Sequence, residues 1–194
     1  MKFFRQIVIY FSICSFCLLS YGAGSLKFSV QQLHKDNIEA CAVGDLDNDG
    51  KLDVVAGERF YLNPGWKPVK FRSIKPFGKD YLQDNGDQVY DVNGDGWLDV
   101  IAGQFTISPL LWFENPGKEG LAKGKTWKEH TLVDTGVGHN EMIFFRDMDG
   151  DGTPEYVANS WNAKNPMLVW KFAKKDGQPT MTKSVISESG NGHG

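Results

Sequence analysis

Apolar positions in this chain come in short runs that alternate with polar ones, and clusters of glycine, asparagine and aspartate separate the runs. That pattern predicts many short β-strands joined by tight turns, and helix-favouring stretches are scarce. Strand character falls at Ala40 to Gly44, Gln88 to Tyr90 and Met142 to Arg146. It returns in three related pentapeptides: Asp53-Val54-Val55-Ala56-Gly57, Asp99-Val100-Ile101-Ala102-Gly103 and Glu155-Tyr156-Val157-Ala158-Asn159. Aromatic segments follow at Phe60 to Leu62, Leu111 to Phe113 and Val169 to Phe172. Each leads through a turn to a further amphipathic segment, at Trp66 to Ile74, Trp127 to Val133 and Met181 to Ile186. The turns are Asn63-Pro64-Gly65, Asn115-Pro116-Gly117 and Lys175-Asp176-Gly177. In the Asn-Pro-Gly turns, proline is expected to preset φ at the second position and glycine to accept positive φ at the third.

Between the first two strands of each unit lies an acidic loop with one spacing. The copies are Asp45-Leu46-Asp47-Asn48-Asp49-Gly50-Lys51-Leu52-Asp53, Asp91-Val92-Asn93-Gly94-Asp95-Gly96-Trp97-Leu98-Asp99 and Asp147-Met148-Asp149-Gly150-Asp151-Gly152-Thr153-Pro154-Glu155. Their first aspartates stand at 45, 91 and 147, intervals of 46 and 56 residues, the size of a propeller blade. Four short antiparallel strands per unit predict an all-β fold of propeller blades, roughly 34–80, 81–135 and 136–194. Excursions at Gln104 to Pro109, Lys118 to Lys125 and Ser160 to Pro166 read as loops, and such loops often form a binding face. Gly138-His139-Asn140 echoes at Gly192-His193-Gly194, so the chain is expected to be the N-terminal part of a larger propeller.

The loops carry the chemistry. Calcium takes six to eight oxygens at flexible distances, and alternate residues of a tight loop can direct oxygens inward. Asp45, Asp47 and Asp49 fill positions 1, 3 and 5 of the first loop, with Asp53 at position 9. Asp91, Asn93, Asp95 and Asp99 correspond in the second, and Asp147, Asp149, Asp151 and Glu155 in the third. Lys51, Trp97 and Thr153 at position 7 would contribute only a backbone carbonyl, so their variety is expected. Glycine at position 6 permits the bend. An EF-hand would need a bidentate glutamate at position 12 and flanking helices, whereas position 12 is Ala56, Ala102 and Ala158 between strands. About three structural calcium sites are expected; magnesium suits the loops less well, because it keeps its waters and a rigid octahedron.

Charge and the N-terminus place the chain. Eleven of its 24 acidic residues lie in the three loops, so the acidity marks local cation sites and not an acidic tail. No basic groove with interleaved aromatics points to nucleic acid. Lys2 and Arg5 precede an apolar run from Ile7 to Leu19 and small residues to Ser25, the pattern of a cleaved signal peptide over 1–24. That run is shorter than the roughly 20 residues of a membrane span, and no other stretch is apolar enough. An exported protein, secreted or periplasmic, with its fold in 25–194 is expected. Cys14 and Cys17 belong to the signal, and Cys41 reads as a small buried strand residue.

The motif Asp-x-Asp/Asn-x-Asp-Gly-x-x-Asp followed by Val-Val-Ala-Gly or Val-Ile-Ala-Gly resembles the FG-GAP/VCBS repeat family, whose blades also build integrin α-subunit propellers. The resemblance covers about Asn37 to Gly194. It implies a β-propeller with calcium in the blade loops, held by the twelve side chains at positions 1, 3, 5 and 9. It does not imply a single function, since such blades occur in adhesion proteins, scaffolds and enzymes. The aromatic-Asn-Pro-Gly and Gly-His features are also similar to exported propellers related to aldos-2-ulose dehydratase, from which no catalytic residue carries over.

Outside the loops, His139 beside Asn140 and Glu141 is the leading candidate for a transition metal or proton transfer, with strand capping as the favoured role. His34 and His130 read as surface or strand residues, and Trp112, Trp161 and Trp170 as core between sheets more than as sugar platforms. No nucleophile elbow, Cys/His pair or phosphate loop is present. The sequence therefore predicts a calcium-stabilised scaffold that binds a protein or glycan. The alternative is a propeller-type lyase or dehydratase acting on carbohydrate.

Overall fold

A computed structural model describes residues 26–190. The predicted signal segment and His193 lie outside the described residues. Residues 26–31 belong to a separate unit, in which they have no regular secondary structure and are exposed; the fold occupies the unit from residue 32 onward.

That unit is built from three four-stranded antiparallel sheets, each a meander in chain order. The first comprises β1 (Cys41–Gly44), β2 (Asp53–Ala56), β3 (Arg59–Tyr61) and β4 (Pro68–Lys70). A two-stranded hairpin of β5 (Pro76–Phe77) and β6 (Tyr81–Leu82) follows. The second sheet holds β7 (Gly86–Tyr90), β8 (Asp99–Gly103), β9 (Pro109–Glu114) and β10 (Lys128–Asp134), with a helix α1 (Gly117–Ala122) before its last strand. The third holds β11 (Asn140–Arg146), β12 (Glu155–Ser160), β13 (Met167–Lys175) and β14 (Gln178–Ser187). Within each sheet the acidic loop joins the first strand to the second, as the repeated pattern requires.

Side-chain alternation explains how the sheets stack. In β8 every residue is buried, because the second sheet is covered on both faces. Val100 and Ala102 join Leu111 and Phe113 in a core shared with Leu46, Val55, Phe60 and Phe71 of the first repeat. Ile101 faces the other way, into a core with Leu110 and Trp112 of its own sheet and Phe145, Tyr156, Leu168, Trp170 and Phe172 of the third. The period of two thus sends alternate residues of one strand into two different cores. The first strands β1, β7 and β11 lie side by side. Gly86 in β7 is needed for that approach, since a Cβ there would lie 2.2 Å from Ile143 Cγ1.

Several expectations are corrected. The excursion at Lys118 to Lys125 contains α1, whose Leu121 is buried in the first core. Cys41 is in a strand but exposed, because the alternation of β1 turns Ala42 and Gly44 inward instead. In the first Asn-Pro-Gly turn the Asn63–Pro64 peptide is cis and Trp66, not Gly65, takes positive φ, whereas Gly117 of the second does so as expected. Trp112 and Trp170 are core residues, but Trp161 is 44% exposed. The third turn follows prediction: Asp176 and Gly177, both at positive φ, close a two-residue hairpin between Lys175 and Gln178.

A buried charge cluster unforeseen from the sequence ties the first two sheets. Arg72 donates from Nη2 to both oxygens of Asp87 at 2.8 Å and to Asp84 Oδ2 at 3.3 Å, and from Nε to the Gly57 carbonyl at 2.7 Å. Its guanidinium also lies 5.1 Å from the ring centroids of Phe71 and Phe113. Two carboxylates face one cation, so burial, followed by the charge of Asp87, pushes Asp84 up to about 7 from its ordinary 3.8. The raised value fixes the sign of its pH dependence. Between about 4 and 7 the native state keeps a proton that the unfolded chain has lost, so stability present below pH 4 drains away as pH rises through 7. Asp84→Asn, which cannot ionise, is therefore expected to gain on the wild type from pH 5 to pH 8, by at most about 1.4 kcal/mol per pH unit. Urea midpoints at each pH read this; a constant difference would refute the assignment.

Candidate metal centre and the acidic loops

Each acidic loop folds around its first aspartate. Asp45 Oδ1 accepts from the Asp49 amide at 3.0 Å and Oδ2 from the Gly50 amide at 2.9 Å. Asp91 accepts from the amides of Gly94, Asp95 and Gly96 at 2.7 to 3.0 Å. Asp147 accepts from Gly150 at 2.7 Å and Gly152 at 2.9 Å. The chain can wrap this tightly because positions 4 and 6 both adopt positive φ. Gly50, Gly96 and Gly152 do so at position 6, and Asn48, Gly94 and Gly150 at position 4. Position 6 was legible from the sequence; the parallel demand at position 4 was not.

Positions 3 and 5 extend the ladder. Asp47, Asn93 and Asp149 accept from the amides of Asp49, Asp95 and Asp151, and those residues in turn from Lys51, Trp97 and Thr153. At position 9 the acid turns inward and is buried in all three copies, at 0%, 0% and 6% exposure for Asp53, Asp99 and Glu155. One of its oxygens accepts the amide of position 2: Leu46 at 2.8 Å, Val92 at 3.0 Å and Met148 at 2.9 Å. The acid therefore clips the start of the loop to its end.

The sequence reading missed the second half of the clip. The other oxygen of Asp53 accepts the Asn63 amide, and that of Asp99 the Asn115 amide, both at 2.8 Å. These are the asparagines of the two Asn-Pro-Gly turns, and their repetition was the available signal. Asn115 reaches further, donating from Nδ2 at 2.9 Å to the Leu46 carbonyl of the first loop and to that of Leu98 in its own. Asn48 Nδ2 likewise donates to the Gly96 carbonyl at 3.0 Å, so the first two loops are bonded to each other.

Electrostatics follow from crowding. Burial raises the Asp47 carboxyl, and the charges of Asp53 and Asp49 add to it. Asp99 is pushed up to about 7 by burial, with the amides of Asn115 and Val92 pulling the other way. Asp49 is lowered by hydrogen bonding from Lys51. Oxygens of Asp45, Asp47 and Asp53 lie within 4.8 Å of one another, as do those of Asp147, Asp149 and Glu155. Hard, closely spaced oxygens of this kind fit a divalent cation such as calcium. In the second loop Asn93 Nδ2 donates to Asp95 Oδ2 at 2.9 Å while its Oδ1 accepts the Asp95 amide at 3.0 Å.

Residues 91–158, from the first aspartate of the second loop into the strand after the third, match the family model of the FG-GAP-like repeat. Those residues carry FG-GAP-like repeat sequence. It is also similar to integrin alpha pat-2 of Caenorhabditis elegans, 24% identical over 188 residues, which covers 77% of this chain and 14% of that protein. Integrin alpha pat-2 of Caenorhabditis briggsae is 24% identical over 190 residues, covering 78% and 14%. The chain thus spans about 14% of the length of these relatives. The first loop, outside the matched FG-GAP-like segment, repeats the geometry of the two within it.

The histidines outside the acidic loops have contacts of their own. His139 takes positive φ; its amide donates to the Phe105 carbonyl at 2.7 Å and its carbonyl accepts from Trp161 at 3.0 Å. His130 stacks on Trp112 at 4.2 Å and contacts Glu114 Oε2 at 2.7 Å, while His34 lies 3.8 Å from Asp36. At the starts of the first strands, away from the acidic loops, a cleft of about 210 Å³ is lined by Phe77, Tyr81, Phe105, Trp161, Glu39 and Glu141 among others. The excursions at Gln104 to Pro109 and Ser160 to Pro166 meet here beside the β5–β6 hairpin. Among the described residues, no helix is long and apolar enough to cross a membrane.

Proposed function

We propose that the three sheets are blades of an exported β-propeller whose acidic loops bind calcium, and that the protein is an interaction scaffold for a protein or glycan. The observation that carries the reading is the acidic loop itself, folded to one hydrogen-bonding plan in three successive sheets whose first strands lie together. FG-GAP-like repeat sequence and similarity to integrin alpha support it, and the apolar run before residue 25 supports export. Asp45, Asp47, Asp49 and Asp53 would hold one ion with the Lys51 carbonyl. Asp91, Asn93, Asp95 and Asp99 with that of Trp97, and Asp147, Asp149, Asp151 and Glu155 with that of Thr153, form the other two loops. The ion supplies charge neutralisation and fixes the loop; the chain supplies the strands and the buried clip. At ten times a dissociation constant of about 0.1 to 1 mM, each occupied loop adds about 1.4 kcal/mol.

The binding face we assign is the aromatic cleft. Phe77, Tyr81 and Trp161 are each between 43% and 53% exposed, and Phe105 holds Phe77 and Trp161 edge to face at 5.2 and 5.1 Å. Exposed aromatics held rigid in this way are suited to anchoring a partner. The test is to probe the protein in calcium against a glycan array and a panel of secreted proteins, beside the double variant Tyr81→Ala, Trp161→Ala. Loss of binding by at least about tenfold with an unchanged melting temperature is expected, as for an interface anchor. A partner bound equally by both forms would place the interface elsewhere.

A further inference from the structure

The third loop departs from the other two at one oxygen. In the first two repeats the second oxygen of the position-9 acid accepts a backbone amide from an Asn-Pro-Gly turn. The third repeat has no such turn, and the buried Oε1 of its acid, Glu155, accepts no hydrogen bond and meets a charge instead. Lys171, directly opposite Glu155 in the β12–β13 register, brings its ammonium 3.0 Å from Glu155 Oε1. The same nitrogen lies 2.7 Å from Asp149 Oδ2 and 2.6 Å from Asp151 Oδ2. One cationic side chain therefore touches positions 3, 5 and 9 together.

No other repeat has an equivalent. The residue before the clip asparagine is Leu62 in the first repeat, and Glu114, committed to His130, in the second. Lys51 pairs with Asp49, at position 5, from position 7 of its own loop, and not with the acids at positions 3 and 9. We propose that Lys171 is the resident cation of the third acidic loop, closing it with the chain's own ammonium group, so that the calcium sites are those of the first two loops. The second half of this statement rests on the calcium reading above and narrows it from three loops to two. The physical reason is competition: an ammonium about 3 Å from three carboxylates delivers positive charge to the oxygens calcium would need, and two cations at that spacing repel.

Calorimetric titration of the full chain with calcium chloride, paired with melting in EDTA, tests it. Wild type is expected to bind two ions, Lys171→Met three, Lys171→Arg two, and the double variant Lys171→Met, Asp147→Asn two. In EDTA, Lys171→Met should melt below the wild type, because the third loop then holds unneutralised acids. Three ions bound by the wild type, or no added ion in Lys171→Met, would overturn the proposal. If the wild type binds none, the calcium reading fails, and the EDTA comparison alone decides: a lowered melting temperature upholds Lys171 as the loop's cation and an unchanged one rejects it.

Discussion

Arg72→Met is expected to destabilise the protein by about 3 to 5 kcal/mol, the cost of removing one partner from a buried ion pair. The side chains of Arg72, Asp84 and Asp87 are each exposed by 1% or less, so no water replaces the lost guanidinium. The variant leaves two carboxylates facing each other in the interior and the Gly57 carbonyl without its donor. Against a net stability of about 5 to 15 kcal/mol this is a large fraction. In a domain of this size it corresponds to a fall in melting temperature of roughly 6 to 20 °C. Because the acids can escape only by protonating, the loss should be smaller at pH 5 than at pH 8. Thermal scans at both pH values check this; a loss below about 1 kcal/mol at pH 8 would show that the cluster does not join the sheets.

Asp53→Ala should cost roughly 2 to 5 kcal/mol even in chelator, since it strips the acceptor from the amides of Leu46 and Asn63. Asp47→Ala makes the informative contrast. Among the described residues its carboxylate accepts the Asp49 amide alone, and it is repelled by Asp53 and Asp49. Its loss should change stability little in chelator and remove the first loop's share of the gain on adding calcium. Denaturant titrations with and without calcium separate the two behaviours. Equal losses for both variants in chelator would mean that position 9 is not a clip distinct from the ion ligands.

Much of this architecture is legible in the chain because it is local. A period-two pattern fixes the strands, positive-φ glycines fix the loop, and Asp176-Gly177 fixes its hairpin, all within a few residues. What escaped notice depends on distant segments meeting. The burial of Arg72 and Asp87 has no local signal, because it arises only when two sheets pack over them. Asn115 reads as a turn former until its side chain reaches Leu46, 69 residues away. Cys41 reads as core by composition, but the parity of β1 points it outward. Lys171 shares the third case: nothing near it in sequence announces an acidic loop, and only the strand register places it across from Glu155. The loop remains the organising feature, and the structure gives it two layers, an inner clip built by the chain and an outer ring of oxygens suited to an ion.

The most direct test of the calcium reading is the melting temperature of the full chain across a calcium titration from EDTA to about 10 mM, with magnesium as control. The account predicts a progressive rise of roughly 2 to 4 °C for each kcal/mol of binding linkage, with a smaller response to magnesium. Identical melting in EDTA and in saturating calcium would contradict it.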